Sequence, residues 1–434
     1  MASVSKKIIA NVKRVGFRQV MLNELRGLAD LGIGSVLTAA IPILAVPILS
    51  RIFDPETYGV YVIFLNCILL VSPIVSLQLE HMIYTFRSRT TVRFLTGMAV
   101  LCIPVVSFFM AVILFVLEYY NKFIDAPISL TTALLVYFSI LSFVLFQVIT
   151  AYLIFIRDYK LVKKLEILRA VITNFVPILL YFINGNPSET YLLLGFFLGN
   201  ACSMMFVAKK IGSHELTRLT KRLNLTRFFR VVKARLALIG YSMGANLLNF
   251  ISIYSQVILV GMAFGALAAG IFSMGYRVVM MPVSVLHPPI YRFFLSKLSD
   301  VDERKSIGKI FSTLVLLLLC VSLAVGFLFF YIIIPYLYIF LGEEWSDSAT
   351  IMYPILLVTL ARTLSAPFSG VLVSEKKQKI ELLINSGQAG GVLGSLYVSS
   401  EVVAFAYNYA VVQSTLYLVA FFYYIFLIRK ISNE

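Results

Sequence analysis

The chain is a succession of long apolar stretches, and this pattern restricts its fold more than any other feature. Each stretch is long enough for a helix to cross the roughly 30 Å hydrocarbon core of a bilayer. Their approximate bounds are 28–50, 57–80, 94–117, 131–156, 169–184, 191–208, 236–261, 269–290, 310–341, 349–373, 380–398 and 403–428. The strands of membrane barrels would instead alternate polar and apolar residues over about ten positions. The sequence therefore predicts an all-α integral membrane protein with about 12 transmembrane helices.

The composition excludes a soluble protein. Of the 434 residues, 60% are hydrophobic and 13% are charged, and the mean hydropathy is +0.92. Soluble domains carry roughly 25% charged residues and about 45–50% apolar ones. The four cysteines lie far apart within predicted spans, so they predict neither a disulfide framework nor a metal site.

The basic residues predict the orientation of the chain. With the N-terminus in the cytoplasm, 33 of the 37 lysines and arginines fall on the cytoplasmic side, and the outer loops hold only Arg51 and Lys122. This asymmetry follows the positive-inside rule and predicts that both termini are cytoplasmic. It also accounts for the net charge of +16, because basic loops face anionic lipid headgroups on that side. The charge therefore does not indicate nucleic-acid binding.

The longest cytoplasmic stretch divides the spans into two sets of six. The predicted organisation is a basic N-terminal segment (1–27), a six-helix lobe (28–208), a basic linker (209–235), a second six-helix lobe (236–428) and a short tail (429–434). A weak internal repeat supports this division, since residues 58–61 correspond to 269–272 and residues 83–86 to 290–293. Both copies run in the same membrane direction. The repeat predicts two parallel lobes around a central cavity.

Two arginines lie inside predicted spans. Arg277 is about a third of the way into its span from the outer side, and Arg362 is near the middle of its own. A buried arginine costs about 2.5–3.5 kcal/mol on insertion scales, so it normally faces a partner or a wet cavity. Guanidinium is suited to phosphate oxygens, which it binds bidentately. Both residues are predicted to bind an anionic substrate, with a structural role as the alternative.

A polar stripe follows one face of the seventh span. Asn246, Asn249 and Gln256 lie on it, at helical spacing from Ser242. Amides on such a face can line a cavity and bind sugar hydroxyls, or they can hold neighbouring helices together. The sequence leaves both readings open.

Three further residues are weaker candidates. Glu80 and His81 end the second span, and a carboxylate beside an imidazole is able to carry a coupling proton. An interfacial pair is the alternative. Arg51 follows the first span near Asp54 and Glu56, where it suits either the cavity or an ion pair within the loop.

Two regions of the chain resemble a known family. The stretch Ile48-Leu49-Ser50-Arg51-Ile52-Phe53-Asp54-Pro55-Glu56-Thr57-Tyr58-Gly59-Val60-Tyr61 resembles the first-loop signature of polysaccharide flippases. These belong to the multidrug/oligosaccharidyl-lipid/polysaccharide exporter superfamily. Residues 341–346, Arg362, residues 365–367 and residues 375–379 resemble the tenth-span region of its O-antigen-type members.

The resemblance implies a task and a set of partners. Such proteins move an undecaprenyl-pyrophosphate-linked oligosaccharide from the cytoplasmic to the periplasmic leaflet of the bacterial inner membrane, in lipopolysaccharide biosynthesis. Arginines lining the cavity are thought to hold the pyrophosphate. The resemblance also implies a glycan polymerase and a chain-length regulator as partners, and no cofactor beyond coupling to H+ or Na+.

Two other classes remain as alternatives. Drug antiporters of the same superfamily use carboxylates embedded in the membrane, which the middle of these spans lacks. A membrane glycan polymerase would need a sizeable outer loop, and the longest one here is 118–130. No catalytic motif is present in the sequence, so a transporter and not an enzyme is expected.

Overall fold

The computed structural model of the protein describes residues 38, 40–83, 86, 88–121, 129–220, 225–299, 307–375 and 377–433. Within these ranges the chain is helical and contains no strand. The helices are α1 (Ala40–Ile52), α2 (Pro55–Val75), α3 (Leu79–Ile83), α4 (Arg89–Asn121), α5 (Leu130–Phe155), α6 (Tyr159–Asn184), α7 (Glu189–Thr220), α8 (Leu225–Ser299), α9 (Ile307–Leu328), α10 (Leu337–Leu341), α11 (Ser348–Ser365), α12 (Gly370–Ser374), α13 (Gln378–Tyr397) and α14 (Val402–Asn433).

The all-α membrane fold predicted from the sequence is confirmed. Nine helices in the described ranges are long and apolar enough to cross a bilayer. One of them is α8, which covers two predicted spans and bends at Gly265, where φ is +87°. A positive φ favours glycine because it lacks a Cβ. Helix α1 covers the described end of the predicted span 28–50, and α13 lies in the predicted span 380–398, so each predicted span contains a helix within the described residues.

Several boundaries differ from those predicted. Helix α2 ends at Val75, before the predicted limit of its span, because Leu77 and Gln78 take positive φ values of 52° and 51° and turn the chain into α3. Hydropathy averaged over about 20 residues does not resolve a turn this short. Helices α7 and α8 extend into the predicted linker 209–235, and residues 1–27 lie outside the described ranges.

Helices α6 and α7 pack closely through small residues. A Cβ on Gly195 would lie 2.7 Å from the Pro177 ring, and one on Gly199 would overlap the Thr173 hydroxyl. Small residues four positions apart allow membrane helices to approach in this way. Helices α4 and α5 pack on α7 to complete this group.

An aromatic cluster organises the helices of the second half. Phe368 lies in the 3-10 turn that follows α11, and its ring is 4.9 Å from that of Phe294 and 4.6 Å from that of Phe311. Phe421 of α14 completes the cluster. The cluster anchors the turn, and this anchoring places the neighbouring residues Ser365, Ala366 and Ser369 against a polar cavity.

The start of α2 is defined by local chemistry. Asp54 caps the helix, accepting hydrogen bonds from the backbone N–H groups of Glu56 at 3.1 Å and Thr57 at 3.0 Å, and Pro55 occupies the first turn. Burial acts to raise the pKa of the Asp54 carboxyl, but the hydrogen bonds outweigh it, and that pKa lies below its ordinary value. The cap therefore stays ionised at neutral pH.

The first turns of α2 cross α8 at very short range. A Cβ on Gly59 would overlap the carbonyl oxygen of Ala266, and one on Gly270 would overlap that of Pro55. The Cβ on Gly59 would also lie 3.0 Å from the Gly270 nitrogen, and the Cβ on Gly270 would lie 3.1 Å from the Gly59 nitrogen. The crossing is therefore reciprocal, and it joins the two halves of the chain at their predicted outer ends.

Trp345 packs against this helix crossing. Its side chain is fully buried, its Nε1 donates to the Ser50 carbonyl at 2.7 Å, and its ring meets that of Tyr58 edge-on at 5.5 Å. Three of the predicted outer loops (51–56, 262–268 and 342–348) thus meet in one place. We call this contact the outer junction and define it by Ser50, Tyr58, Gly59, Gly270 and Trp345.

Trp345→Phe is expected to destabilise the protein. The change leaves the buried Ser50 carbonyl without this donor, at a cost of about 1–3 kcal/mol, and reduces ring contact in the outer junction. We expect the melting temperature in detergent to fall by several degrees, measured from the folded peak in size-exclusion chromatography after heating. Tyr336→Phe, at a side chain 50% exposed, is the control; equal melting of the two variants would contradict the prediction.

Candidate substrate cavity

A polar cavity lies between helices of the second half of the chain. It encloses about 160 Å³, less than the roughly 300–1,000 Å³ of sites for drug-sized ligands. In this conformation it has room for a small polar group and not for an oligosaccharide. Helices α8, α11, α13 and α14 supply most of its lining, which consists of Asn246, Asn249, His287, Arg362, Ser365, Ala366, Ser369, Leu372, Glu381, Ile384, Asn385, Gln388, Tyr417, Ala420 and Tyr424.

Arg362 is the basic group of this cavity. Its Nη1 donates to the Tyr276 hydroxyl at 3.4 Å, a long contact. Tyr254, Tyr409 and Tyr417 also lie near its guanidinium. A tyrosine hydroxyl solvates a guanidinium but adds no opposite charge at neutral pH. The tyrosines therefore stabilise the guanidinium without neutralising it, so it can still bind an anion.

Carboxamides line the cavity from two helices. Asn246 and Asn249 come from α8, and Asn385 and Gln388 come from α13. Asn385 also links the two helices, since its Nδ2 donates to the Ala245 carbonyl at 2.9 Å. Amides both donate and accept hydrogen bonds, so the walls offer partners to phosphate oxygens and to sugar hydroxyls.

The cavity also contains a carboxylate, on a residue at the cytoplasmic end of the predicted span 380–398. Glu381 lines it and interacts electrostatically with Tyr291 and Tyr424. The sequence contains a signal for this side of the cavity. Glu381, Asn385 and Gln388 are spaced by four and three residues, so they share one face of α13. His287, whose ring stacks on Tyr291 at 5.8 Å, also lines the cavity.

The remaining predicted cationic residues lie elsewhere. Arg277 borders the outer junction, where its Nη1 donates to the Tyr58 hydroxyl at 2.9 Å. The Nη2 of Arg51 donates to the Ile339 carbonyl at 3.0 Å, on the exposed surface. Gln256 belongs to α8 and is buried, with 1% of its surface exposed. Of the six predicted substrate-binding residues, Arg362, Asn246 and Asn249 therefore line the described cavity.

The predicted coupling pair lies in the short helix α3. Glu80 and His81 follow the turn at the end of α2, and α3 packs against α4 and α5. The side chain of His81 is outside the described part of the structure. Glu80 is not among the residues that line the cavity described above.

The fold matches those of known membrane transporters. The chain is similar to a multidrug resistance MATE family transporter of the MOP superfamily in an inward-facing conformation, with a TM-score of 0.63 and 14% identity over 93% of this chain and 96% of that one. It is similar to the lipid II flippase MurJ in an inward closed conformation, with a TM-score of 0.66 and 12% identity over 93% and 90%. A MOP superfamily transporter from Pyrococcus furiosus gives 0.54 and 11% over 93% and 96%.

These likenesses define the class of protein as a multi-span membrane protein with the MOP superfamily fold. The family follows from the sequence itself. The model of the polysaccharide biosynthesis protein family matches residues 48–350, and the chain belongs to that family. A search of curated protein sequences finds no significant match.

Proposed function

We propose that the protein is a flippase for an undecaprenyl-pyrophosphate-linked oligosaccharide. It takes the repeat unit from the cytoplasmic leaflet of the bacterial inner membrane and releases it in the periplasmic leaflet. Both termini lie in the cytoplasm, and a glycan polymerase with its chain-length regulator receives the product. Family membership supports the link to polysaccharides, and the fold supports transport.

The observation that carries the proposal is Arg362 in a cavity walled by tyrosines and amides. A pyrophosphate cannot cross about 30 Å of hydrocarbon unaided. It needs a wet site that offers a cation and several hydrogen-bond donors. Arg362 supplies the charge and the fork geometry that suits phosphate, and Asn246, Asn249 and Asn385 supply uncharged partners.

We propose alternating access between two lobes, 28–208 and 236–428, as the mechanism. The cavity residues belong to the predicted cytoplasmic halves of their spans or to the middle of them, whereas the outer junction joins the predicted outer ends. This arrangement suits a cytoplasm-facing state that loads the headgroup. The second state would require the outer junction to open. Glu80 and His81 remain proposed sites of coupling to H+ or Na+.

The proposal is tested by mass spectrometry of polyprenyl-linked glycans from cells that lack the protein, together with their membrane sidedness. We expect single repeat units to accumulate on the cytoplasmic leaflet. Units found on the periplasmic leaflet would point to a polymerase instead, and the absence of any accumulation would point to a drug exporter.

Glu381→Gln is expected to strengthen binding of inorganic pyrophosphate to the purified protein. The carboxylate shares the cavity with Arg362, and removing its negative charge relieves repulsion of about 1 kcal/mol at the effective dielectric of such sites. The dissociation constant should fall about fivefold in calorimetric titrations. Glu401→Gln removes the same charge from an exposed position between α13 and α14 and should have no effect. Weaker binding in Glu381→Gln would instead indicate that the carboxylate assists the ligand.

A further inference from the structure

The outer junction is built from equivalent parts of the two halves of the chain. Gly59 and Gly270 occupy corresponding positions in the internal repeat, and each would place a Cβ on the backbone of the other's helix. Ser348 fixes α11 to α8 within the second half, as its hydroxyl donates to the Ile271 carbonyl at 3.1 Å. Backbone contacts this close hold only while the two helices stay in register, so the halves cannot separate here without breaking all of them.

A hydrogen bond between two side chains links the outer junction to Arg277. Arg277 on α8 donates to the hydroxyl of Tyr58 on α2 at 2.9 Å. The ring of Tyr58 in turn contacts Trp345. The bond thus ties α8 of the second half to α2 of the first half and holds Tyr58 against the buried tryptophan.

The same stretch of α8 reaches the substrate cavity. Tyr276, which accepts the hydrogen bond of Arg362, directly precedes Arg277 in the chain. The helix is continuous from Gly265 to Ser299, so a displacement of Tyr276 moves the backbone of Arg277. Arg277 is therefore coupled to the cavity through one peptide unit.

We propose that the Arg277–Tyr58 hydrogen bond is a latch that keeps the outer junction closed, and that the pyrophosphate of the substrate releases it. The inference rests on the proposed function. A guanidinium–phosphate contact joins opposite charges and can be bidentate, whereas the Arg277–Tyr58 bond ends on a neutral hydroxyl. A headgroup bound at Arg362 therefore competes with Tyr58 for Arg277, the Arg277–Tyr58 bond breaks, and Tyr58 is no longer held against Trp345. Opening on the outer side then follows loading and does not precede it.

The protein carries its own reporter for this event. Trp345 is the only tryptophan in the sequence, and it is fully buried in the outer junction. Its fluorescence, excited selectively, measures opening by the wavelength of emission and by quenching with acrylamide. We would record both for the purified protein in lipid nanodiscs, with and without inorganic pyrophosphate.

Tyr58→Phe removes the hydroxyl and keeps the ring. We expect the quenching constant of Trp345 to rise at least threefold without pyrophosphate, and pyrophosphate to add little more. In the unmodified protein, pyrophosphate alone should produce a rise of similar size. Tyr353→Phe is the matched control, since the ring of Tyr353 packs on Phe330 at 5.4 Å. Arg277→Gln breaks the same bond from the other side and should give the same result. It takes the place of Tyr58→Phe in the test if that variant folds poorly.

The outcomes separate the latch from the proposed function. Unchanged quenching in both Tyr58→Phe and Arg277→Gln would overturn the latch. If calorimetry shows that pyrophosphate binds while Trp345 stays protected, release by the headgroup is wrong. If pyrophosphate does not bind at all, the proposed cavity fails together with its role in release, and the two variants still decide whether the bond closes the outer junction.

Discussion

Arg362→Ala is expected to abolish export of the lipid-linked glycan while leaving the protein folded in the membrane. Arg362 is the arginine of the described cavity, and neutral tyrosines surround it. Hydrogen bonds to charged groups contribute about 1.5–3 kcal/mol each. Loss of a bidentate contact worth about 3 kcal/mol should weaken pyrophosphate binding roughly 150-fold. Repeat units should then accumulate on the cytoplasmic leaflet, as in cells without the protein.

Two companion variants sharpen this test. Arg362→Lys retains the charge and loses the fork, so it should bind pyrophosphate with intermediate affinity. Arg429→Ala removes an exposed arginine near the end of α14 and should export normally. Folded protein is verified by size-exclusion chromatography in every case. Full export by a well-folded Arg362→Ala protein would remove Arg362 from the substrate site.

Gly59→Ala is expected to have the largest effect on the structure. The added methyl group would overlap the Ala266 carbonyl oxygen, which belongs to the backbone and cannot rotate away. Helices α2 and α8 must therefore separate, and the contacts of Trp345 with Ser50 and Tyr58 should weaken with them. We expect a red shift of Trp345 emission, a lower melting temperature and at least a tenfold loss of export. Gly270→Ala should have the same consequences, because the crossing is reciprocal.

Gly394→Ala is the control for this prediction. A Cβ at Gly394 would meet no atom within 4 Å, so the change should be neutral or slightly stabilising, since alanine favours the helix. The comparison isolates the helix crossing from the general effect of replacing glycine in a membrane helix. Equal behaviour of Gly59→Ala and Gly394→Ala would show that α2 and α8 do not need this close approach.

The sequence predicted individual cavity residues on α8 and α11, but it did not predict the residues that surround them. Asn246, Asn249 and Arg362 were predicted from polarity within apolar spans, and they line one cavity. The depth of Arg277 was also read from the sequence, but its partner was not. Tyr58 lies 219 positions away, and hydropathy contains no information about which helices touch. The α13 side of the cavity, formed by Glu381, Asn385 and Gln388, was not predicted.

By itself, the sequence determined the membrane-spanning helices and the character of the protein as an all-α membrane protein, because transfer into lipid depends on local composition that a window of about 20 residues measures. Only the tertiary structure decided which polar groups meet. It brought Glu381 into the cavity of Arg362, and it placed Arg277 at Tyr58 beside the outer junction. Such pairings depend on how distant helices pack, and a close approach such as that of Gly59 and Gly270 is a property of two helices together.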